Sequence, residues 1–151
     1  MKAITILQPW ASLIACGAKR IETRSWATQY RGPIAIHAAK DQDKKGDRIR
    51  HIVARAEQYG IIIPKMQFGC VIATANLVDC IEIVHFYTLA PTVPQAKRAI
   101  LDNGHTVSGN EIDFGDFTPG RYAWILDNIQ AIKPVTARGQ QRIWNWEGEA
   151  I

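Results

Sequence analysis

The stretch Gly17-Ala18-Lys19-Arg20-Ile21-Glu22-Thr23-Arg24-Ser25-Trp26 changes its periodicity part-way through. Gly17 is the residue type that ends a helix, because glycine enters left-handed backbone conformations without a Cβ clash. Residues 20–26 then alternate as a strand does, with Ile21 and Thr23 on one side and Glu22, Arg24 and Trp26 on the other. Lys19, Glu22 and Arg24 thus bring two cations and a carboxylate together. Such a set can form an ionic network that presents charge to a phosphate or a base edge. The same spacing also describes an exposed salt bridge, worth about 0–1 kcal/mol and without functional meaning.

Working outward, residues 3–7 alternate and are β-branched, which predicts a strand, and Gln8-Pro9 opens a short helix whose Trp10, Leu13 and Ile14 share one face. On the other side, Gly32-Pro33 predicts a turn and residues 34–38 a buried strand that carries His37. Residues 41–59 read as a helix: Ile49, Ile52, Val53 and Ala56 recur at helical spacing, with Lys44, Lys45, Arg48, Arg50 and Arg55 mostly off that stripe. A long β-branched run over 69–84 predicts a central strand, bent near Asn76. A second helix is expected over 92–101, a Gly- and Asp-rich loop over 103–120, a strand over 121–132, a turn over 134–141 and a closing strand over 142–146. Five or six strands with one or two inserted helices predict an α+β chain, a small mixed, mainly antiparallel β-barrel with flanking helices.

At 151 residues the chain fits a single domain that buries roughly two thirds of its unfolded surface, enough for a core without metals or disulfides. An apolar share of 47% excludes a disordered chain. No stretch approaches the ~18 apolar residues of a membrane span, and residues 1–10 lack the apolar core of a leader peptide. Cys16, Cys70 and Cys80 are an odd number with no C-x-x-C pair, which predicts a thiol-reduced, cytoplasmic protein. Net charge is +4, unevenly spread: residues 1–75 hold 12 Lys and Arg against 5 Asp and Glu, residues 76–151 hold 6 against 9. An anionic partner is expected on the basic half.

Five tryptophans, Trp10, Trp26, Trp124, Trp144 and Trp146, are a high load for this length, and aromatic faces beside basic side chains are what base stacking requires. Trp124, between Ala123 and Ile125, reads as core, whereas Trp26 and one of Trp144 or Trp146 are the stacking candidates. His37, His51, His85 and His105 show no ligand spacing, so no metal site and no cofactor are expected. The absence of G-x-S-x-G, Walker and G-x-G-x-x-G patterns removes the serine hydrolase, P-loop and Rossmann readings.

In combination, Leu7-Gln8-Pro9-Trp10-Ala11-Ser12-Leu13, the G-x-K-x-x-E-x-R pattern from Gly17 to Arg24 with Ser25-Trp26, Tyr30-Arg31-Gly32 and His37-Ala38-Ala39-Lys40 resemble the activating signal cointegrator homology (ASCH) domain. The likeness continues through Gly115-Asp116-Phe117, Gly120-Arg121-Tyr122-Ala123-Trp124 and Lys133-Pro134-Val135 and covers most of the chain; residues 41–65 and 91–111 look like variable insertions. The resemblance implies a PUA-like β-barrel associated with RNA binding, and a cleft between the first helix and the barrel lined by Lys19, Glu22, Arg24 and Trp10. Some relatives are similar to amidohydrolases acting on N4-acetylcytidine through a lysine, a threonine and a glutamate. Lys19 matches that lysine, but Glu22 stands where the threonine belongs, and Thr23 lies on the opposite strand face. Others resemble ribonucleases or coactivator modules, and this chain resembles the coactivator branch.

The first functional expectation is therefore a monomeric module for RNA or single-stranded nucleic acid, or for a nucleotide. Lys19, Arg24 and Arg31 would meet phosphate, Glu22 would orient them or accept a base amino group, Trp26 or Trp144 would stack, and Gln8 and Trp10 would line the cleft. The alternative is a hydrolase on a modified nucleoside, or a metal-independent ribonuclease, in which Glu22 is the base and Lys19 stabilises an oxyanion. A protein-interaction domain is the third.

Overall fold

The computed structural model describes residues 1–40, 46–92 and 96–149. The elements are β1 (Lys2–Ile6), α1 (Trp10–Ala15), β2 (Ile21–Arg24), β3 (Gly32–Ala38), α2 (Asp47–Gln58), β4 (Cys70–Thr88), β5 (Lys97–Leu101), β6 (Thr106–Val107), α3 (Asn110–Asp113), β7 (Tyr122–Thr136) and β8 (Ile143–Asn145). They form a mixed, sheet-dominated fold with three helices among the described residues.

The ladder runs β2-β7-β4-β3-β1-β8, with β5 joined to the far half of β4 and β6 to β5. The β1–β3 pair is parallel, and β4 pairs antiparallel with β3, β5 and β7. β4 is thus the central element that its β-branched run predicts. At 19 residues it bends, through register shifts against β7 between Val71 and Ala73, Thr74 and Asn76, and Leu77 and Asp79. Strands β1, β3 and the first part of β4 are covered on both faces, which explains their near-continuous apolar runs. Ile4, Ile34, Ile36 and Ala73 pack with α1 residues Ala11 and Ile14 on one face; Ala3, Ala35 and Val71 pack under Trp144 and Trp146 on the other. The far half of β4 builds a second core, in which Ile83, Ala99, Leu101 and Phe117 meet.

The ladder does not close, because β2 and β8 are its ends. Side chains cross the gap instead, from β2 to β1 and from the start of β8 to the end of β2. Arg24 Nη2 in β2 donates to Thr5 O in β1 at 2.8 Å, and the Arg142 guanidinium, next to β8, stands 4.3 Å from the centre of the Trp26 ring, just beyond β2. The candidate site lies along this seam.

Several local expectations change. The helix expected over 92–101 is the strand β5: Ala99 and Leu101 are buried while Arg98 and Ile100 are half-buried, a two-residue alternation in which β4 supplies the partners; residues 93–95 lie outside the described residues. β3 already begins at Gly32, so Gly32-Pro33 belongs to a strand, with glycine at φ +127. β7 runs through Pro134 to Thr136 rather than turning there. The helix expected from residue 41 is described from Asp47 as α2. The 103–120 loop contains β6 and the single turn α3.

Candidate functional site

The site starts where α1 ends. Gly17 takes φ +82, and the amides of Ala18 and Lys19 both donate to Leu13 O at 3.0 Å. This turn carries the Lys19 side chain inward until it has no exposed surface. Its Nζ donates to Ile21 O and to Phe114 O at 2.6 Å, and lies 3.8 Å from Glu22 Oε1. Burial pushes the ammonium pKa below the usual lysine range, against the pull of Glu22 and Glu111. Lys19 therefore pins β2 to the Phe114 segment from inside, and its ammonium has no surface to offer a phosphate.

Glu22 sits between this lysine and Arg24. Its Oε2 accepts from Arg24 Nη2 at 3.3 Å, its Oε1 accepts from the Thr23 amide at 3.1 Å, and the side chain keeps 12% of its surface exposed. Arg24 keeps 24%. A second carboxylate holds the strand's entry: Glu111 accepts from the amides of Arg20 and Ile21, at 3.1 and 2.9 Å. Burial raises the Glu111 pKa, opposed by Lys19 and by these two amides. Sequence reading missed Glu111, since a lone glutamate in a long loop has no periodic or motif signal.

Glu22 and Arg24 open into a cavity of ≈ 510 Å³, within the ~300–1,000 Å³ usual for small-molecule sites. Thr5 and Leu7 at the end of β1, Trp10, Trp26, the Asp113–Asp116 segment and Arg121 complete its wall. Thr23 lines it too, contrary to the alternation argument. β2 is an end strand, and the 113–116 segment folds over its other face, where the Asp116 amide donates to Thr23 Oγ1 at 3.1 Å. This close approach requires Gly115: a Cβ there would stand 2.9 Å from the Phe117 ring and 3.3 Å from Thr23 Cγ2. Arg121 pairs with Asp116 at 3.5 Å. The Asp116 carboxyl lies below its usual range, chiefly through bonds from Thr118 and then through Arg121.

The remaining sequence candidates divide. Trp10 and Trp26 line the cavity, but each already carries a guanidinium on its ring, Arg48 at 4.7 Å over Trp10 and Arg142 at 4.3 Å over Trp26. Trp10 Nε1 and Arg24 Nε are buried and, among the described residues, have no hydrogen-bond partner. Gln8 is buried as a latch: its Oε1 accepts from the Ser12 amide and its Nε2 donates to Gln67 O. Arg31 is exposed outside the cavity, paired with Asp79 at 3.3 Å. Trp144 is buried, its Nε1 donating to Thr5 Oγ1 at 3.2 Å and its ring edge against His37. His37 lies in the core, its Nε2 bonded to Ala137 O at 2.9 Å. Among the described residues no group of three or more His, Cys, Asp or Glu side chains is placed to hold a metal ion, and no helix is long and apolar enough to cross a membrane.

Human activating signal cointegrator 1 is 30% identical over 95 residues, which take in 61% of this chain and 16% of that protein. The mouse protein of the same name is 31% identical over 99 residues, with the same coverage. The chain thus spans 16% of the length of these curated relatives. A crystal structure of a mutant ASCH protein from Zymomonas mobilis aligns with a TM-score of 0.48 at 14% identity, covering 97% of this chain and 90% of that one. A family model described as the ASCH domain matches residues 4–136, and the chain belongs to that family.

Proposed function

We propose that this chain is a single ASCH domain that binds single-stranded nucleic acid, RNA in the first instance, by seating one nucleotide in the cavity at the sheet seam. The observation that carries the reading is the Glu22 carboxylate. It is held by Lys19 on one side and Arg24 on the other and stays partly exposed in a cavity of nucleotide size. A carboxylate fixed in this way accepts from the amino edge of a base, and bases of single strands are read on such edges and stacked on aromatic or guanidinium planes. Trp10 and Trp26, each backed by an arginine, supply planes of that kind, and Arg24 and Arg121 supply donors. The open sheet with β2 and β1 drawn together corresponds in this reading to a PUA-like barrel with its seam at the site. Three free thiols, Cys16, Cys70 and Cys80, support a cytoplasmic setting.

Fluorescence anisotropy with a labelled single-stranded RNA across a salt series tests the reading. Binding with a negative slope of log K against log salt is expected. Glu22→Ala and Arg24→Ala should each weaken it by about 1–3 kcal/mol, the scale for leaving a buried polar partner unsatisfied. No binding at low salt overturns the proposal.

A second reading, hydrolysis of a modified nucleoside or of RNA, draws on Thr23, whose side chain borders the same cavity as the Glu22 carboxylate. Incubation with N4-acetylcytidine and with labelled RNA without metal tests it, and both substrates recovered unchanged would remove it.

A further inference from the structure

Behind the seam lies a second hollow of ≈ 910 Å³, which shares Thr5 and Leu7 with the first cavity. The two therefore adjoin across the end of β1. Their charges differ. The first is lined by three carboxylates, Glu22, Asp113 and Asp116, and two cations, Arg24 and Arg121. All five are in ion pairs: Arg24 with Glu22, Arg121 with Asp116, and Asp113 with Arg55 at 4.0 Å. The second carries Lys40 and Arg138 and, among the described residues, no carboxylate in its wall. Burial keeps the imidazole of His37, also in that wall, below its usual range, against the bond to Ala137 O, so histidine adds no charge there at neutral pH.

The fold sets the two cations together. Lys40 follows β3 and Arg138 follows β7, and the backbone of Gly69 joins them: its amide donates to Ala38 O at 2.9 Å, and its carbonyl accepts from the Ala137 amide at 3.1 Å. Gly69 holds φ +67, and a Cβ there would stand 3.6 Å from Lys40 Cβ, so the lysine stem lies along the glycine. At the junction, Leu7 leaves 41% of its surface exposed, an apolar ridge between the two hollows.

We infer that the second hollow is the phosphate-binding part of the site, in which Lys40 and Arg138 hold the backbone of a single-stranded nucleic acid whose base enters the first cavity across Leu7. This rests on the proposed nucleic-acid-binding function and assigns its electrostatics to residues outside the G-x-K-x-x-E-x-R segment. The physical argument is pairing: Arg24 and Arg121, the cations that line the first cavity, are each already held by a carboxylate, whereas Lys40 and Arg138 face solvent in a wall that carries no carboxylate among the described residues.

The test is anisotropy of fluorescein-labelled octauridylate, with octathymidylate in parallel, against the wild-type chain, Lys40→Ala/Arg138→Ala, and a control, Arg50→Ala/Lys133→Ala, which removes equal charge from exposed positions outside both hollows. For two lost single-strand phosphate contacts, the slope of log K against log salt should shrink by about 1.4, about a sevenfold difference over a fourfold rise in salt. The control should keep the wild-type slope. Equal slopes for wild type and Lys40→Ala/Arg138→Ala, with binding weakened in Glu22→Ala, overturn this inference and leave the proposed function standing. Equal slope changes in both double variants overturn it as well, by showing a bulk charge effect. Wild-type protein that binds neither oligonucleotide overturns both proposals.

Discussion

Replacing Lys19 by methionine separates an internal pin from a ligand contact. Methionine keeps much of the stem's volume and removes the ammonium, so no large cavity is introduced. What is lost is the pair of bonds to Ile21 O and Phe114 O and the 3.8 Å partnership with Glu22. Two carbonyls left without donors cost about 1–3 kcal/mol each. Release of a desolvated ammonium offsets part of this, yet removal of one member of a buried ion pair typically costs about 3–5 kcal/mol in total. For a chain of this size each kcal/mol moves Tm by about 2–4 °C, so Lys19→Met should melt about 6–20 °C lower. Urea unfolding followed by tryptophan fluorescence, with calorimetry beside it, measures the loss directly. Glu22→Gln in the same background should be non-additive, with a coupling energy of about 0.5–3 kcal/mol. A Lys19→Met protein within about 1 kcal/mol of wild type, with RNA affinity nonetheless reduced, would refute the reasoning and return Lys19 to the ligand.

Two further predictions follow from contacts at the same place. Gly115→Ala puts a Cβ 2.9 Å from the buried Phe117 ring and 3.3 Å from Thr23 Cγ2, so overpacking should cost about 1–3 kcal/mol; an unchanged urea midpoint would show that the 113–116 segment yields freely. The Glu111 carboxyl has its folded pKa raised above 4.5 by burial, so the folded state binds that proton more tightly. Its contribution is present below the unfolded value and is lost as pH rises through the folded one. Urea midpoints between about pH 4 and pH 8 should fall more for wild type than for Glu111→Gln, and parallel curves would refute the assignment.

Local physics made much of this chain legible. A strand within residues 20–26, the helix-ending Gly17 and the long β-branched run into β4 appear as expected, because each depends on neighbours in sequence; the two-face alternation of 20–26 does not, since Glu22 and Thr23 are both buried. β5 was not legible: its Lys97-Arg98-Ala99-Ile100-Leu101 pattern is short, and Pro91 and Pro94 suggest a helix start as readily as a bend. Pairing with β4 decided it.

The site divides in the same way. The sequence alone determined that Lys19, Glu22 and Arg24 are neighbours and that Glu22 and Arg24 share a face. Only the tertiary structure decided that Lys19 turns inward, because the carbonyls that hold it belong to Ile21 and to Phe114, which is distant in sequence. It also decided that Thr23 borders the cavity and that Lys40 and Arg138 come together through Gly69. Periodicity assigns a side chain to a face of its own element; which elements meet at that face is set by long-range packing at the open seam of the sheet.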